Sequence, residues 1–179
     1  MNSLRRGGGI TASGCTACSC LLRPEEAQRR LYTAHVGDAR AVLCRNGRAT
    51  RLTALSDHKA TDLLEAKRVV EAGGTIFNER VNGMLAISRA FGDFQLKAPT
   101  WQCDIVSNVP EVSSTLLRED GQDVFVIVAC DGLWDVISDQ EAVNLVMDGM
   151  HQLEQLAGEN GRGLWGRTQR DNTHIRQFE

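Results

Sequence analysis

The stretch "VFVIVACDGLWDV", Val124 to Val136, runs from an unbroken apolar segment straight into two carboxylates. Val124 to Ala129 reads as a strand buried on both faces. Asp131 follows at once with Gly132 beside it, and Asp135 stands four residues on. Charge at the end of a core strand is costly unless something compensates it. A divalent cation is one such compensation, because carboxylate oxygens are hard ligands. Asp135 fits either the same cation or a helix-start acid facing the macrodipole.

Working outward, the chain has 179 residues, 42% of them hydrophobic and 24% charged, which suits one globular domain with a real core. A net charge of −3 gives no basic field for nucleic acid or an anionic membrane. The longest apolar runs are strand-sized, short of a membrane span, and "MNSLRRGGGITASG" carries no signal-peptide core. Cys15, Cys18, Cys20, Cys44, Cys103 and Cys130 therefore read as reduced thiols. "CTACSC" contains a C-x-x-C, but no second pair stands at zinc-finger spacing. The expected location is cytoplasmic and/or nuclear.

Before the opening stretch, "SGCTACSCLL" reads as a strand, and Leu31–Val36 and Ala41–Cys44 as short strands around Gly37-Asp38. Asn46-Gly47 marks a tight turn into a further strand. Thr61 to Ala72 predicts a helix with Leu63, Ala66 and Val70 on its apolar face and Gly73 just past its end. Residues 94 to 108 read as an irregular surface loop and Pro110 to Leu117 as a strand. After Asp135, Ser138 and Glu141 form a capping box for a helix whose apolar face is Ala142, Leu145, Val146 and Met150. Strands and two helices without βαβ repetition predict an α+β layered domain.

Several polar groups stand near these elements. Asp38 in "HVGDARA" suits a tight turn. Asp57-His58-Lys59 fits either a catalytic cluster or a device orienting the start of the next helix. Ser88, Arg89 and Asp93 in "SRAFGD" fit anion binding or a buried Arg–Asp pair. Asp171-Asn172 is a further acidic point in a basic tail. No nucleophile elbow, P-loop or C-x5-R loop is present, so a hydrolytic reaction here points to metal-activated water.

Taken together, "SGCTACSCLL", "LYTAHVGDARAVLCRNG", "DHKATDLLEAKRVVEAGG", "RVNGMLAISRAFGD", "VFVIVACDGLWDVISDQEA" and "RDNTHI" resemble the metal-dependent type 2C (PPM) Ser/Thr protein phosphatases, most closely the small fungal-type members. The resemblance implies a four-layer α-β-β-α sandwich of antiparallel sheets with a binuclear Mg2+ or Mn2+ centre at one end. It makes Asp131 and Asp171 similar to the core-metal aspartates. Asp38 and Asp135 resemble the acids that, with Asp131, hold a third, weaker ion. The implied reaction is attack of metal-bridging hydroxide on phosphoserine or phosphothreonine. The implied partners are phosphorylated proteins, and a monomer is expected.

The sequence also departs from the family pattern. Ahead of Asp38 the acids are Glu25 and Glu26, and the family's Asp-Gly-His-Gly metal motif and phosphate-binding arginine are not found. The reading is thus a basic Gly-rich leader over 1–9, a phosphatase domain incomplete at its N-terminus over 10–157, and a divergent tail over 158–179 that keeps the Asp-Asn motif. Two expectations compete on that basis. One is a phosphatase by family whose activity in this chain is weak or lost. The other is a non-catalytic pseudophosphatase-type binding module.

Overall fold

A computed structural model describes residues 13–25 and 28–159. The leader 1–9 and Asp171 lie outside them. In chain order the strands are β1 (Gly14–Cys15), β2 (Ala17–Glu25), β3 (Gln28–Val36), β4 (Arg40–Arg45) and β5 (Arg48–Arg51). Helix α1 (Leu63–Glu71), β6 (Ile76–Phe77), β7 (Arg80–Val81) and β8 (Phe91–Gly92) follow, then β9 (Glu111–Leu117), β10 (Asp123–Ala129), α2 (Asp131–Trp134) and α3 (Asp139–Glu159). Two three-stranded antiparallel sheets, β2-β3-β9 and β10-β4-β5, form the frame.

Side-chain alternation along β4 joins the layers. Ala41 and Leu43 meet Leu31 and Leu52 between the two sheets. Val42 and Cys44 face the other way, onto Trp134, Ala142 and Val143 of the helices. The strand buried on both faces is therefore β4. The opening stretch departs from its expectation: β10 is an edge strand, and Val124 and Val128 are exposed. A run of six apolar residues reports how many strands could flank it, not how many do. A third cluster of Ala60, Val69, Val81, Leu96, Ile105 and Val106 holds α1 and the segments after it.

Local signals define the turns well. Asn46 and Gly47 both have positive φ (52° and 70°), which matches the right-handed twist of the β4–β5 hairpin. Ser138 and Glu141 close a reciprocal cap: the Ser138 N–H and hydroxyl donate to Glu141 Oε2 at 2.8 and 2.7 Å, and the Glu141 N–H donates to Ser138 Oγ at 3.3 Å. Helix α1 starts on Asp62, whose carboxylate accepts the N–H groups of Leu64 and Glu65. It ends in a Schellman pattern, with Gly73 N–H donating to Val70 O and Gly74 N–H to Val69 O.

Both helices turn a different face inward than their patterns predict. In α1 Leu63 and Val70 are exposed, while Val69 and Glu65 are buried. In α3 Ala142 and Val143 are buried, and Leu145 and Val146 are not. Glu65 explains the first case. Its carboxylate receives Arg89, Arg68 and the Ser88 hydroxyl. Burial pushes its pKa up, but the Arg89 and Ser88 hydrogen bonds and the charges of Arg68 and Arg89 outweigh that and hold it at about 2. The arginine of "SRAFGD" is thus paired with Glu65, not with Asp93. Removing one partner of such a pair strands the other's charge. Glu65→Gln is expected to lower stability by about 3 kcal/mol, measured by urea denaturation, with a loss well below 1 kcal/mol contradicting this account.

Candidate active site

Register brings the sequence-predicted acids to one end of the second sheet. Ala129 at the end of β10 pairs with Arg40 at the start of β4. Asp38 lies two residues before Arg40, and Asp131 two residues beyond Ala129. Both acids therefore leave the sheet at the same edge. Asp131 opens α2 and Asp135 caps its other end; both are exposed, and neither forms an ion pair among the described residues. Asp38 is different: its carboxylate accepts the Lys59 ammonium at 2.9 Å, with only 12% of its side chain exposed.

The "DHK" triplet builds the wall of this end. Asp57 and His58 both adopt left-handed backbone (φ 51° and 46°), a conformation uncommon outside glycine. Each is held there by its side chain. Asp57 bridges Arg40 and Arg51. His58 Nδ1 accepts the Gly37 N–H at 3.1 Å, and its carbonyl accepts the Ser88 N–H and hydroxyl. Gly37 itself has φ +88°, and a Cβ there would lie 2.3 Å from Thr16 Cγ2. Only glycine fits beside this turn.

Arg40 ties the same end to the helices. Its guanidinium pairs with Asp57 and with Asp139 at the start of α3, and it lies 5.1 Å from the Trp134 ring centroid. Trp134 in turn donates its indole N–H to Ala129 O at 2.9 Å. Nothing in the spacing of Arg40, Trp134 and Asp139 along the sequence marks them as one unit.

Behind the wall, His35 and His58 stack with ring centroids 4.3 Å apart and planes within 8°. Burial, then the His58 charge, push His35 down from 6.5 to about 4. Burial and Arg89 also hold His58 below its ordinary value, against the opposing pull of Glu65 and Glu111. With Nδ1 accepting from Gly37, His58 is neutral with its proton on Nε2, 3.6 Å from Glu111 Oε2.

Whether these residues suffice for a cation centre is answered by their arrangement. Among the described residues no three His, Cys, Asp or Glu side chains gather closely enough to hold a metal ion. Asp38 already carries a cation in Lys59. The described residues alone thus do not fit a binuclear centre.

Comparison with known proteins follows the same lines as this geometry. The protein phosphatase 2C family profile matches residues 5–172. Protein phosphatase 2C homolog 1 of Schizosaccharomyces pombe is 49% identical over 135 residues, spanning 74% of this chain and 36% of its own length. Its namesake from Saccharomyces cerevisiae is 47% identical over 149 residues, 76% of this chain and 50% of its own. Among solved structures, a C. elegans sex-determining protein superposes with a TM-score of 0.63 at 33% identity, covering 73% of this chain and 30% of that one. A phosphatase from Toxoplasma gondii gives 0.58 at 25% identity, covering 81% and 56%. The fold class is therefore the α+β sandwich of the type 2C phosphatases. The chain belongs to the protein phosphatase 2C family, and it spans half or less of the length of the two yeast relatives.

The buried imidazoles set an acid limit. Their folded pKa values lie below the unfolded value, so the unfolded chain gains protons first as pH falls. Their contribution is intact above 6.5 and is lost progressively toward about 4. For His35 alone this amounts to about 2 kcal/mol at pH 5. His35→Phe, which keeps a ring against His58 but takes no proton, should lower the thermal midpoint less than the unaltered chain does between pH 7 and pH 5. Equal drops in the two proteins would refute this assignment.

Proposed function

We propose that this chain carries part of the catalytic centre of a protein Ser/Thr phosphatase acting on phosphoserine and phosphothreonine in proteins. The observation that supports it is the convergence of Asp38 and Asp131 at one end of β4 and β10, in a chain of the 2C family. Mg2+ or Mn2+ is the cofactor that the family resemblance implies. Asp131, Asp135 and Asp38 are the described residues chemically suited to it, and Asp171 is proposed as a fourth donor from outside the described part.

The described donors fall short of a closed cage, so we further propose that the chain by itself hydrolyses phosphopeptides weakly. A preorganised electrostatic site loses about a hundredfold or more when even one of its elements is missing. Hydrolysis of a phosphothreonine peptide in millimolar Mn2+ is accordingly expected to run at least about a hundredfold slower than that of the Saccharomyces cerevisiae relative assayed alongside. A rate close to that of the relative, abolished by Asp131→Ala, would overturn the weak-activity reading and leave the chain a full catalyst.

A further inference from the structure

The pairing of Lys59 with Asp38 has a functional consequence that the family relationship does not supply. Lys59 cannot easily move away as a unit. Its N–H donates to Ser56 O at 3.1 Å, it bridges to Ile87, and the next N–H, from fully buried Ala60, donates to Ala86 O at 2.7 Å. Ahead of it, His58 is pinned through Gly37 and Ser88. The backbone therefore delivers this ammonium to Asp38 from a fixed point, while adjacent His58 holds the turn that presents Asp38.

The charges around Lys59 favour that position. Asp57 is already neutralised by Arg40 and Arg51. Asp38 and Asp135 are left as the acids facing the ammonium. Burial pulls the Lys59 pKa down, yet the Asp38 hydrogen bond and the charges of Asp38, Asp135 and Asp57 carry it above its ordinary value. Lys59 keeps 35% of its side chain exposed, so it has solvent to retreat into. A hard divalent cation needs the same carboxylate oxygens and is repelled by an ammonium seated on them.

We propose that Lys59 is the resident cation of Asp38, and that a divalent ion gains this carboxylate only by displacing the Lys59 ammonium. The proposal rests on the reading of Asp38 as a cation ligand. It makes Lys59 a positioning residue that keeps Asp38 aimed and neutralised without metal and sets a threshold against weak metal binding. Lys59 thus separates two states of the site, one closed by an internal ion pair and one open to an external ion.

The chain's lysines are Lys59, Lys67 and Lys97, which supplies internal references. Lys67 is exposed, and Lys97 is buried with its ammonium on Ala90 O and Val106 O. Amine acetylation followed by peptide mass spectrometry is the direct test, at low salt and with Lys67 and Lys97 as fast and slow standards. Asp38→Asn without metal, and millimolar Mn2+ added to the unaltered chain, should each speed Lys59 labelling about threefold or more with Lys67 unchanged. Calorimetric titration of Mn2+ should show Lys59→Met binding about fivefold or more tighter than the unaltered chain, with the gain absent in Asp38→Asn, Lys59→Met.

Mn2+ that binds by calorimetry yet leaves Lys59 labelling unchanged overturns the displacement. So does an affinity gain in Lys59→Met that survives loss of Asp38. A different result separates the underlying reading. If neither the unaltered chain nor Lys59→Met takes up Mn2+, Asp38 is not a cation ligand here, and the displacement fails with that reading even where Asp38→Asn exposes Lys59. The labelling arm on the unaltered chain needs no variant to fold.

Discussion

The Arg40 guanidinium is the constraint on which this end of the molecule depends. It is largely buried, and two carboxylates from distant parts of the sequence converge on it: Asp57 from the turn after β5 and Asp139 from the start of α3. Its face lies against Trp134 of α2. A partly buried cation must be paired to be tolerated, and each of its partners belongs to a different element. Arg40 therefore fixes β4, the "DHK" turn and the two C-terminal helices relative to one another. Planar, forked donors suit this role, since one guanidinium can serve two carboxylates and a ring at once.

That network explains why two left-handed residues in sequence, Asp57 and His58, persist at the site. Backbone in this region is unfavourable for residues with a Cβ, and surrounding structure must over-determine it. Here it does. Asp57 is held by two arginines, His58 by the Gly37 amide, by Ser88 and by the His35 ring. The strained turn is what places His58 and Lys59, adjacent in sequence, on Gly37 and Asp38, also adjacent in sequence. One dipeptide grips the other.

The parts of the fold that were legible in the sequence are those decided by neighbouring residues. Asn46-Gly47, the Ser138–Glu141 box and Gly73 each report a local backbone requirement, and each sits where expected. The family resemblance placed Asp38 and Asp131 at a common end, as the register of β4 and β10 does. The inward faces of α1 and α3 were not legible, because they depend on what lies opposite. A buried glutamate with two arginines looks, in sequence, like a solvated face. The same limit hid the edge position of β10 and the histidine stack, whose members are separated by a full hairpin and the turn beyond it.

The two acids that share this end are not held alike. Asp38 sits on a turn clamped by His58, by Lys59 and by the close approach of Thr16 to Gly37. Asp131 follows an edge strand that pairs only with β4, and its α2 turn is secured mainly by Trp134, through the indole bond to Ala129 and the Arg40 contact. Preorganisation is therefore one-sided: Asp38 is fixed and internally neutralised, whereas Asp131 is exposed and carries no ion pair among the described residues. Electrostatic sites work through groups fixed before the charge arrives. The apolar residues left open on the neighbouring edges, Leu22 on β2 and Val128 on β10, lie on the inner faces of their strands, beside Leu31 and Val126. Anything that packed against that edge would bury those side chains and stiffen β10 on its unpaired side. Asp131 would then gain the fixed position that Asp38 already has.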